Sequence, residues 1–220
     1  PKVRQALGFA LDFEWINANL LHGAFERTTS FFANSELAAT GAPSPDERAL
    51  LERWRGQVPA TVFEDALMPP VTDGSGNVRG NLRIARRLLQ EAGWVVRDGA
   101  MVRASDGTPF VFDILLVFPE NERIALTFAR NVERLGIKVG VRTVDTAQYE
   151  FRRQNYDYDM IVHTWRISLS PGNEQAHYWG TAAADQPGTR NYIGVKSDAV
   201  DGLIDQVTSS QDRHQLVTAM

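Results

Sequence analysis

Hydrophobic and polar residues recur with a helical period over much of the first half of the chain. Residues 3–25 place their apolar side chains within about half of a helical wheel, which predicts a single amphipathic helix. Ser44, Pro45 and Glu47 form a helix-start signal, so a short helix is predicted to run from there to about Arg55. Residues 80–92 alternate leucines and arginines between two faces, and this pattern predicts a third helix.

The most regular pattern lies between residues 94 and 162. Two short apolar runs flank Asp98-Gly99, a dipeptide typical of a tight hairpin turn. The elements predicted after this hairpin are a doubly buried strand at 110–117, a helix at 121–135, a half-exposed strand at 137–141, a helix at 146–154 and a strand at 159–162. This βαβαβ order indicates an α/β fold with parallel strands. A loop-rich stretch at 168–190 and a last helix at 198–207 are predicted to follow.

Composition and charge exclude several classes of function. The chain has 220 residues and a formal net charge of −4, and it has no long basic tract that would indicate a nucleic-acid partner. Without cysteine it has no disulfide, thiolate metal site or cysteine nucleophile. No apolar stretch reaches the roughly 18 residues of a membrane helix. Since both ends run into helical patterns, we expect the chain to be a piece of a longer protein.

The sequence matches no known catalytic motif well. Residues 73–79 resemble the start of a dinucleotide or calcium loop, but Arg79 and Val78 replace the required glycines, so a plain turn is favoured. His163, Ser168 and Glu174 could form a Ser-His-acid set on paper, yet nothing fixes their geometry, and a structural histidine is the favoured interpretation. The sequence therefore predicts that the protein is not an enzyme.

A polar loop follows the last predicted strand of the sheet. Residues 156–165 are rich in aromatic side chains, and residues 168–175 combine serine, proline, glycine and asparagine before the carboxylate of Glu174. The carboxyl end of a strand in an open α/β sheet is a natural ligand position. A surface loop beside a core tryptophan fits the same spacing equally well.

Several short stretches, taken in order, resemble family 5 of the bacterial extracellular solute-binding proteins, which includes oligopeptide- and dipeptide-binding proteins of ABC importers. The stretches that carry this resemblance are residues 4–12, 85–94 (A-x-x-L-L-x-E-A-G-W), 135–139, 157–165 and 191–204. The sequences of residues 35–41 and 168–175 resemble those of the branch that includes microcin C-type and other peptide carriers.

The resemblance implies a two-lobed periplasmic binding protein of type II fold. Residues 1–220 would form most of its second, C-terminal lobe, and the first lobe, the signal peptide and the C-terminal return would lie outside them. The implied function is capture of peptides or peptide-like compounds in the periplasm for a membrane permease, with no cofactor and no metal. An opine, an oligosaccharide or a metal chelate is the alternative ligand, and the loop could instead dock to the importer.

The resemblance also implies candidate contacts with the ligand. Trp165 matches the family's tryptophan and would supply an apolar wall, and Arg153 matches an arginine that can meet a ligand carboxylate. Tyr149 falls near a family aromatic position. The alternatives are structural roles without ligand contact: a core tryptophan, a solvated arginine and a packed tyrosine.

The loop after Trp165 departs from the family pattern. Many relatives carry there an aspartate that pairs with the α-amino group of the peptide, whereas Ser168 or Leu169 occupies that place here. Glu174 is the candidate to take over the ammonium group, and Asn173 completes the predicted site. This departure leaves the peptide specificity open.

Overall fold

The computed structural model describes residues 1–220, and the chain forms two compact units. The first unit comprises Pro1–Arg27, Pro69–Glu150 and Tyr158–His163. The second comprises Thr28–Met68, Phe151–Asp157 and Thr164–Met220. The sequence did not predict this division, and the assignment of all 220 residues to a second lobe stays a prediction.

Short helices and strands make up both units. The α-helices are α1 (Lys2–Gly8), α2 (Phe13–Leu20), α3 (Pro45–Leu51), α4 (Arg79–Glu91), α5 (Glu122–Glu133), α6 (Thr146–Gln154), α7 (Glu174–Trp179), α8 (Asp198–Ser209) and α9 (Arg213–Ala219). The strands are β1 (Trp94–Arg97), β2 (Ala100–Arg103), β3 (Val111–Leu116), β4 (Lys138–Thr143) and β5 (Met160–Ile161). No helix combines the length and the apolar character needed to cross a membrane.

A three-stranded parallel sheet forms the centre of the first unit, in the order β4-β3-β5. This topology confirms the predicted βαβαβ run. Leu89 of α4, Ile114 of β3 and Val132 of α5 lie in one buried apolar cluster. Burying such a side chain stabilises a fold by about 1.5–3 kcal/mol. Val111 is 53% exposed, so the prediction of a strand buried on both faces is wrong at the start of β3.

The predicted hairpin is confirmed in the first unit. Strands β1 and β2 pair antiparallel, with Arg97 opposite Ala100. The two turn residues, Asp98 and Gly99, have φ angles of 51° and 83°. Positive φ at both central positions is the geometry that Asp-Gly adopts readily, because its twist matches that of the strands.

The prediction of one continuous helix over residues 3–25 is wrong. Helix α1 ends at Gly8, and α2 begins after Asp12. The carboxylate of Asp12 is buried and accepts a hydrogen bond from the Trp15 amide at 3.2 Å. A short acidic side chain that bonds the backbone in this way starts a new helix, and hydrophobic periodicity does not reveal that break.

The second unit contains the short α3, whose start is as predicted. The Ser44 hydroxyl accepts from the Glu47 amide at 3.3 Å, and the Glu47 carboxylate accepts from the Ser44 amide at 2.6 Å. The stretch predicted as a loop at 168–190 is partly helical, with α7 and a 3₁₀ turn at Thr181–Asp185. These elements are too short for the period of their apolar residues to be recognised.

Candidate ligand-binding site

An aromatic cluster surrounds Trp165 in the second unit. Its ring centroid lies 5.0 Å from that of Tyr178, 5.1 Å from Trp179, 5.5 Å from Tyr192 and 5.9 Å from Phe31. These separations fall within the range in which aromatic pairs attract each other. We call these five residues the aromatic cluster. Trp165 itself is half-buried, as an apolar wall at a ligand surface would be.

Buried polar side chains position the cluster. The Gln175 carbonyl oxygen accepts from the Trp179 indole nitrogen at 3.1 Å, one turn later on α7. Asn191, which is 1% exposed, donates to the carbonyls of Gly180 and Val195 and accepts from the Val195 amide. The backbone beside Tyr192 is therefore fixed without regular secondary structure.

Arg153 joins the edge of the aromatic cluster from the last turn of α6. Its guanidinium donates to the Tyr192 hydroxyl, and its central carbon lies 5.1 Å from the centroid of the Tyr192 ring. Tyr192 thus links Arg153 to Trp165, the two principal residues that the resemblance implied. A cation beside packed aromatic rings provides one charged and one apolar recognition element on the same surface.

Tyr156 extends this surface by one more ring. Its centroid lies 6.5 Å from that of Tyr192, and its hydroxyl donates to the Ala183 carbonyl at 3.2 Å and pairs with the Thr189 hydroxyl. The backbone of Tyr156 has a φ of 55°, a conformation that is uncommon for a residue other than glycine. The tertiary hydrogen bonds keep the ring against the cluster.

The predicted loop residues make mostly local contacts. The Ser168 hydroxyl accepts from the Ser170 amide at 3.0 Å, and the Leu169 side chain is 59% exposed. Asn173 lies exposed at the start of α7, where its side chain makes no capping hydrogen bond. No hydrogen bond of these three side chains reaches the aromatic cluster, so their ligand roles stay predictions.

Glu174 is engaged by its own backbone neighbourhood. Its two carboxylate oxygens accept from the Gly172 amide at 3.0 and 3.1 Å, and one of them also accepts from the Gln175 side chain at 3.2 Å. These bonds fix the carboxylate at the first turn of α7. A carboxylate offers about four acceptor positions, so it can still receive a further donor.

Arg213 connects two of the stretches on which the resemblance depends. Its guanidinium donates to the Glu36 carboxylate at 2.8 Å and to the Leu169 carbonyl at 2.7 Å. Glu36 belongs to the stretch 35–41, and Leu169 belongs to the loop 168–175. The loop is therefore fixed by a long-range contact within the second unit.

Tyr149 belongs to the first unit, where it is 4% exposed. Its hydroxyl donates to the Val162 carbonyl at 3.1 Å and so anchors the chain just after β5. This contact accounts for a tyrosine at that position, and a ligand role for Tyr149 stays a prediction.

The predicted glycine-rich turn also belongs to the first unit. The Asp73 carboxylate accepts from the Ser75 amide at 3.0 Å and from the Ser75 hydroxyl at 2.5 Å. These hydrogen bonds lower the pKa of the Asp73 carboxyl below its ordinary value. The turn is thus stabilised by its own side chains.

Sequence reasoning missed most of the aromatic cluster. It singled out Trp165, but the partners come from separate stretches of the second unit, and no spacing rule connects them. Two weak signals were present: the Phe31-Phe32 pair, and Tyr192 within the last stretch of the resemblance. Neither signal indicates that the rings meet.

A mainly apolar cavity of about 400 Å³ lies within the second unit. Phe31 and Trp179 of the aromatic cluster line it, together with Phe32, Leu203 and Ile204. Its volume lies within the range of small-molecule sites. The cluster therefore contributes rings to a cavity as well as to the surface beside Arg153.

Known proteins are similar to this chain in sequence and in fold. It is 41% identical over 219 residues to the probable peptide-binding protein YejA of Agrobacterium fabrum, covering all of this chain and 36% of that protein. It is 40% identical over 222 residues to the peptidoglycan-binding protein YepA of the same organism, covering 99% and 36%. The chain thus spans little more than a third of the length of these relatives.

A solved structure shows the same fold over nearly the whole chain. The oligopeptide-binding protein AppA of Bacillus subtilis, in complex with a nonapeptide, matches with a TM-score of 0.72 and 25% identity, covering 99% of this chain and 37% of AppA. The fold is therefore that of the solute-binding proteins, a class of binding proteins and not of enzymes. The model "Bacterial extracellular solute-binding proteins, family 5 Middle" matches residues 1–186. The chain belongs to this family, as the sequence resemblance implied.

Proposed function

We propose that this chain contributes a ligand-binding surface to the solute-binding component of an ABC importer, which captures peptides or peptide-like compounds in the periplasm and delivers them to a membrane permease. The observation that carries this proposal is the aromatic cluster with Arg153 at its edge. The names of the relatives, peptide-binding and peptidoglycan-binding, support a peptide or a peptide derived from peptidoglycan. The microcin C-type branch stays a prediction.

Arg153 is the proposed anchor for a carboxylate of the ligand. One acceptor of its guanidinium is the hydroxyl of Tyr192. A hydrogen bond between two ions is roughly twice as strong as one between neutral groups, so a carboxylate competes well with that hydroxyl. Trp165 would pack against the apolar part of the ligand, and Tyr192 would keep Arg153 in place beside it.

Glu174 is the proposed anchor for the ammonium group of the ligand. Its carboxylate is already oriented by the Gly172 amide, so little side-chain entropy remains to be lost on binding. Ser168, Leu169 and Asn173 would line the loop around the ligand, where exposed groups and bridging waters tolerate different side chains. Tyr149, in the first unit, holds the Val162 carbonyl, and its contact with the ligand stays a prediction.

The proposed role is that of a carrier without catalytic activity. The Ser168 hydroxyl is bonded to its own loop, and Glu174 is bonded to Gly172 and Gln175. We expect the double variant Ser168→Ala and His163→Ala to leave the integrity of a bound peptide unchanged. Slower breakdown of a bound peptide in this variant would indicate hydrolysis and contradict the carrier role.

The first test identifies the natural ligand. Small molecules released by denaturing the full-length protein are analysed by mass spectrometry, and we expect a set of short peptides. Release of a single opine, oligosaccharide or metal chelate would overturn the peptide proposal and leave the family membership in place.

A second test locates the carboxylate anchor. The affinity of a released peptide is measured by calorimetry in its free and C-terminally amidated forms. For Arg153→Gln, the free form is expected to lose about 1.5–3 kcal/mol of binding free energy, or roughly 10- to 150-fold in affinity, and the amidated form little. Arg53→Gln is the matched control, since Arg53 is an exposed arginine of the same unit. Equal losses for both forms would contradict the proposed contact.

A further inference from the structure

Four arginines of the first unit surround one surface concavity. Arg79, Arg83 and Arg86 of α4 and Arg134 after α5 line a depression of about 300 Å³, whose remaining wall is formed by Leu82 and Leu135. No acidic residue lines it. All four arginines are exposed, and none forms an ion pair.

The concavity brings together four arginines that have no acidic partner. Acidic residues outnumber basic ones in the chain, 27 to 23, and at least six arginines elsewhere form an ion pair with a carboxylate. Within the same unit, Arg103 pairs with Asp106 at 3.0 Å and Arg142 with Asp113 at 3.4 Å. Arginines clustered without counter-charges in an acidic protein provide a local positive field.

The spacing along α4 concentrates this charge. Arg79 and Arg83 are four residues apart, and Arg83 and Arg86 are three apart, so the side chains share one face and repel each other. The first turn of α4 contains no acidic residue, and the partial positive charge of the helix end adds to the field. Leu82 and Leu135 are 7% and 1% exposed, and long side chains of either charge could cover such residues, so their burial does not require four arginines.

We propose that Arg79, Arg83, Arg86 and Arg134 form a binding site for a phosphate group. A guanidinium offers a planar fork that matches two oxygens of an oxyanion. A phosphate group carries up to two negative charges and can neutralise more than one guanidinium, whereas a single carboxylate carries only one negative charge. The concave shape favours a compact group that enters the depression. A soluble phosphate ester and an anionic lipid headgroup share this chemistry.

This site is independent of the proposed peptide surface. Its arginines all belong to the first unit, and none belongs to the aromatic cluster or to the loop 168–175. The phosphate proposal therefore stands or fails separately from the peptide proposal.

The test measures binding of inorganic pyrophosphate to the full-length protein by calorimetry at low ionic strength. We expect saturable binding that weakens at least about tenfold in the double variant Arg83→Ala and Arg86→Ala, because two of the four charges are lost. The control is the double variant Arg53→Ala and Arg123→Ala, which removes the same charge from exposed positions outside the concavity and should change affinity less than about twofold. Circular dichroism verifies that each variant is folded.

Vesicles distinguish the two sources of the phosphate group. Sedimentation with vesicles of phosphatidylglycerol in phosphatidylcholine, reversed by pyrophosphate, would support a lipid headgroup. Binding of pyrophosphate without binding of vesicles would support a soluble phosphate ester. No pyrophosphate binding, or equal binding by wild type and the Arg83/Arg86 variant, would overturn the proposal.

Discussion

The first unit is stabilised by aliphatic burial, whereas the second depends on aromatic rings and on side chains that bond the backbone. Leu89, Leu116 and Leu135 are each at most 1% exposed in the first unit. In the second unit, Asn191 and Gln175 are buried; the Asn191 amide bonds the backbone of Gly180 and Val195, and the Gln175 amide accepts from the Trp179 indole. Backbone groups outside helices and strands must find partners elsewhere, and the Asn191 side chain provides them.

This difference separates a scaffold from a recognition surface. The parallel sheet and its helices repeat a regular pattern, in which one apolar side chain can replace another of similar volume. The aromatic cluster and the loop 168–175 instead require particular side chains at particular positions. Residues that bind ligands occur most often on such irregular segments.

The largest expected effect concerns the aliphatic core of the first unit. Leu89→Ala should lower the free energy of unfolding by about 2–5 kcal/mol, because the side chain is fully buried and its removal leaves a cavity. Chemical denaturation of the full-length protein, combined with hydrogen exchange, measures the loss and its location. Leu126→Ala is the control, since Leu126 is 43% exposed on α5. Equal losses of stability in the two variants would contradict the claim that aliphatic burial stabilises the first unit.

The next effect concerns the polar interior of the second unit. Asn191→Ala removes three hydrogen bonds to the backbone and should cost about 2 kcal/mol or more, since the groups left behind are buried. Faster hydrogen exchange near residues 180–195 and altered tryptophan fluorescence would follow. Asn173→Ala, at an exposed asparagine of the same unit, should change stability by less than about 0.5 kcal/mol. A neutral Asn191→Ala would mean that aromatic packing alone supports this unit.

A smaller effect is expected at the start of α3. Ser44→Ala removes one half of the capping box and should cost about 1 kcal/mol. Ser44→Gly, which costs only a few tenths of a kcal/mol at such positions, is the matched comparison. Denaturation midpoints of both variants test this order. The reversed order would show that backbone freedom matters more at this position than the lost cap.

Much of the first unit could be predicted because its signals are local and periodic. The helical face of α4, the hairpin at Asp98-Gly99 and the strand–helix alternation each follow from residues close in sequence. The break between α1 and α2 was not predicted because it depends on the buried carboxylate of Asp12, whose Thr72 partner lies 60 residues away. A hydrophobic pattern contains no information about such a partner.

The candidate site could be predicted only in part. Trp165 and Arg153 came from the resemblance, and the structure connects them through Tyr192. The meeting of Phe31 with Trp179, at 5.1 Å between ring centroids, joins residues 148 positions apart. Only tertiary structure brings such residues together, and no single-residue property indicates the contact.

The smallest expected effect concerns an exposed ion pair of the first unit. Such a pair contributes little to stability, so the contrast between the two units does not depend on it. Lys2 of α1 lies 2.8 Å from Glu91 of α4, and its hydrogen bond and charge lower the pKa of the Glu91 carboxyl below its ordinary value of 4.5. Because the folded pKa is lowered, the contribution of this pair is complete above about pH 4.5 and is lost as the pH falls through the folded value.

Lys2→Met should therefore raise the pKa of Glu91 toward 4.5, as observed by carbon NMR of its carboxyl group. Salt near 1 M should have the same direction of effect in wild type, since it shortens the screening length to about 3 Å. Lys138→Met, a control at an exposed lysine of β4, should leave this pKa in place. An unchanged pKa in Lys2→Met would assign the shift to Arg87, whose guanidinium lies 3.9 Å from Glu91 and is the weaker of the two cationic influences.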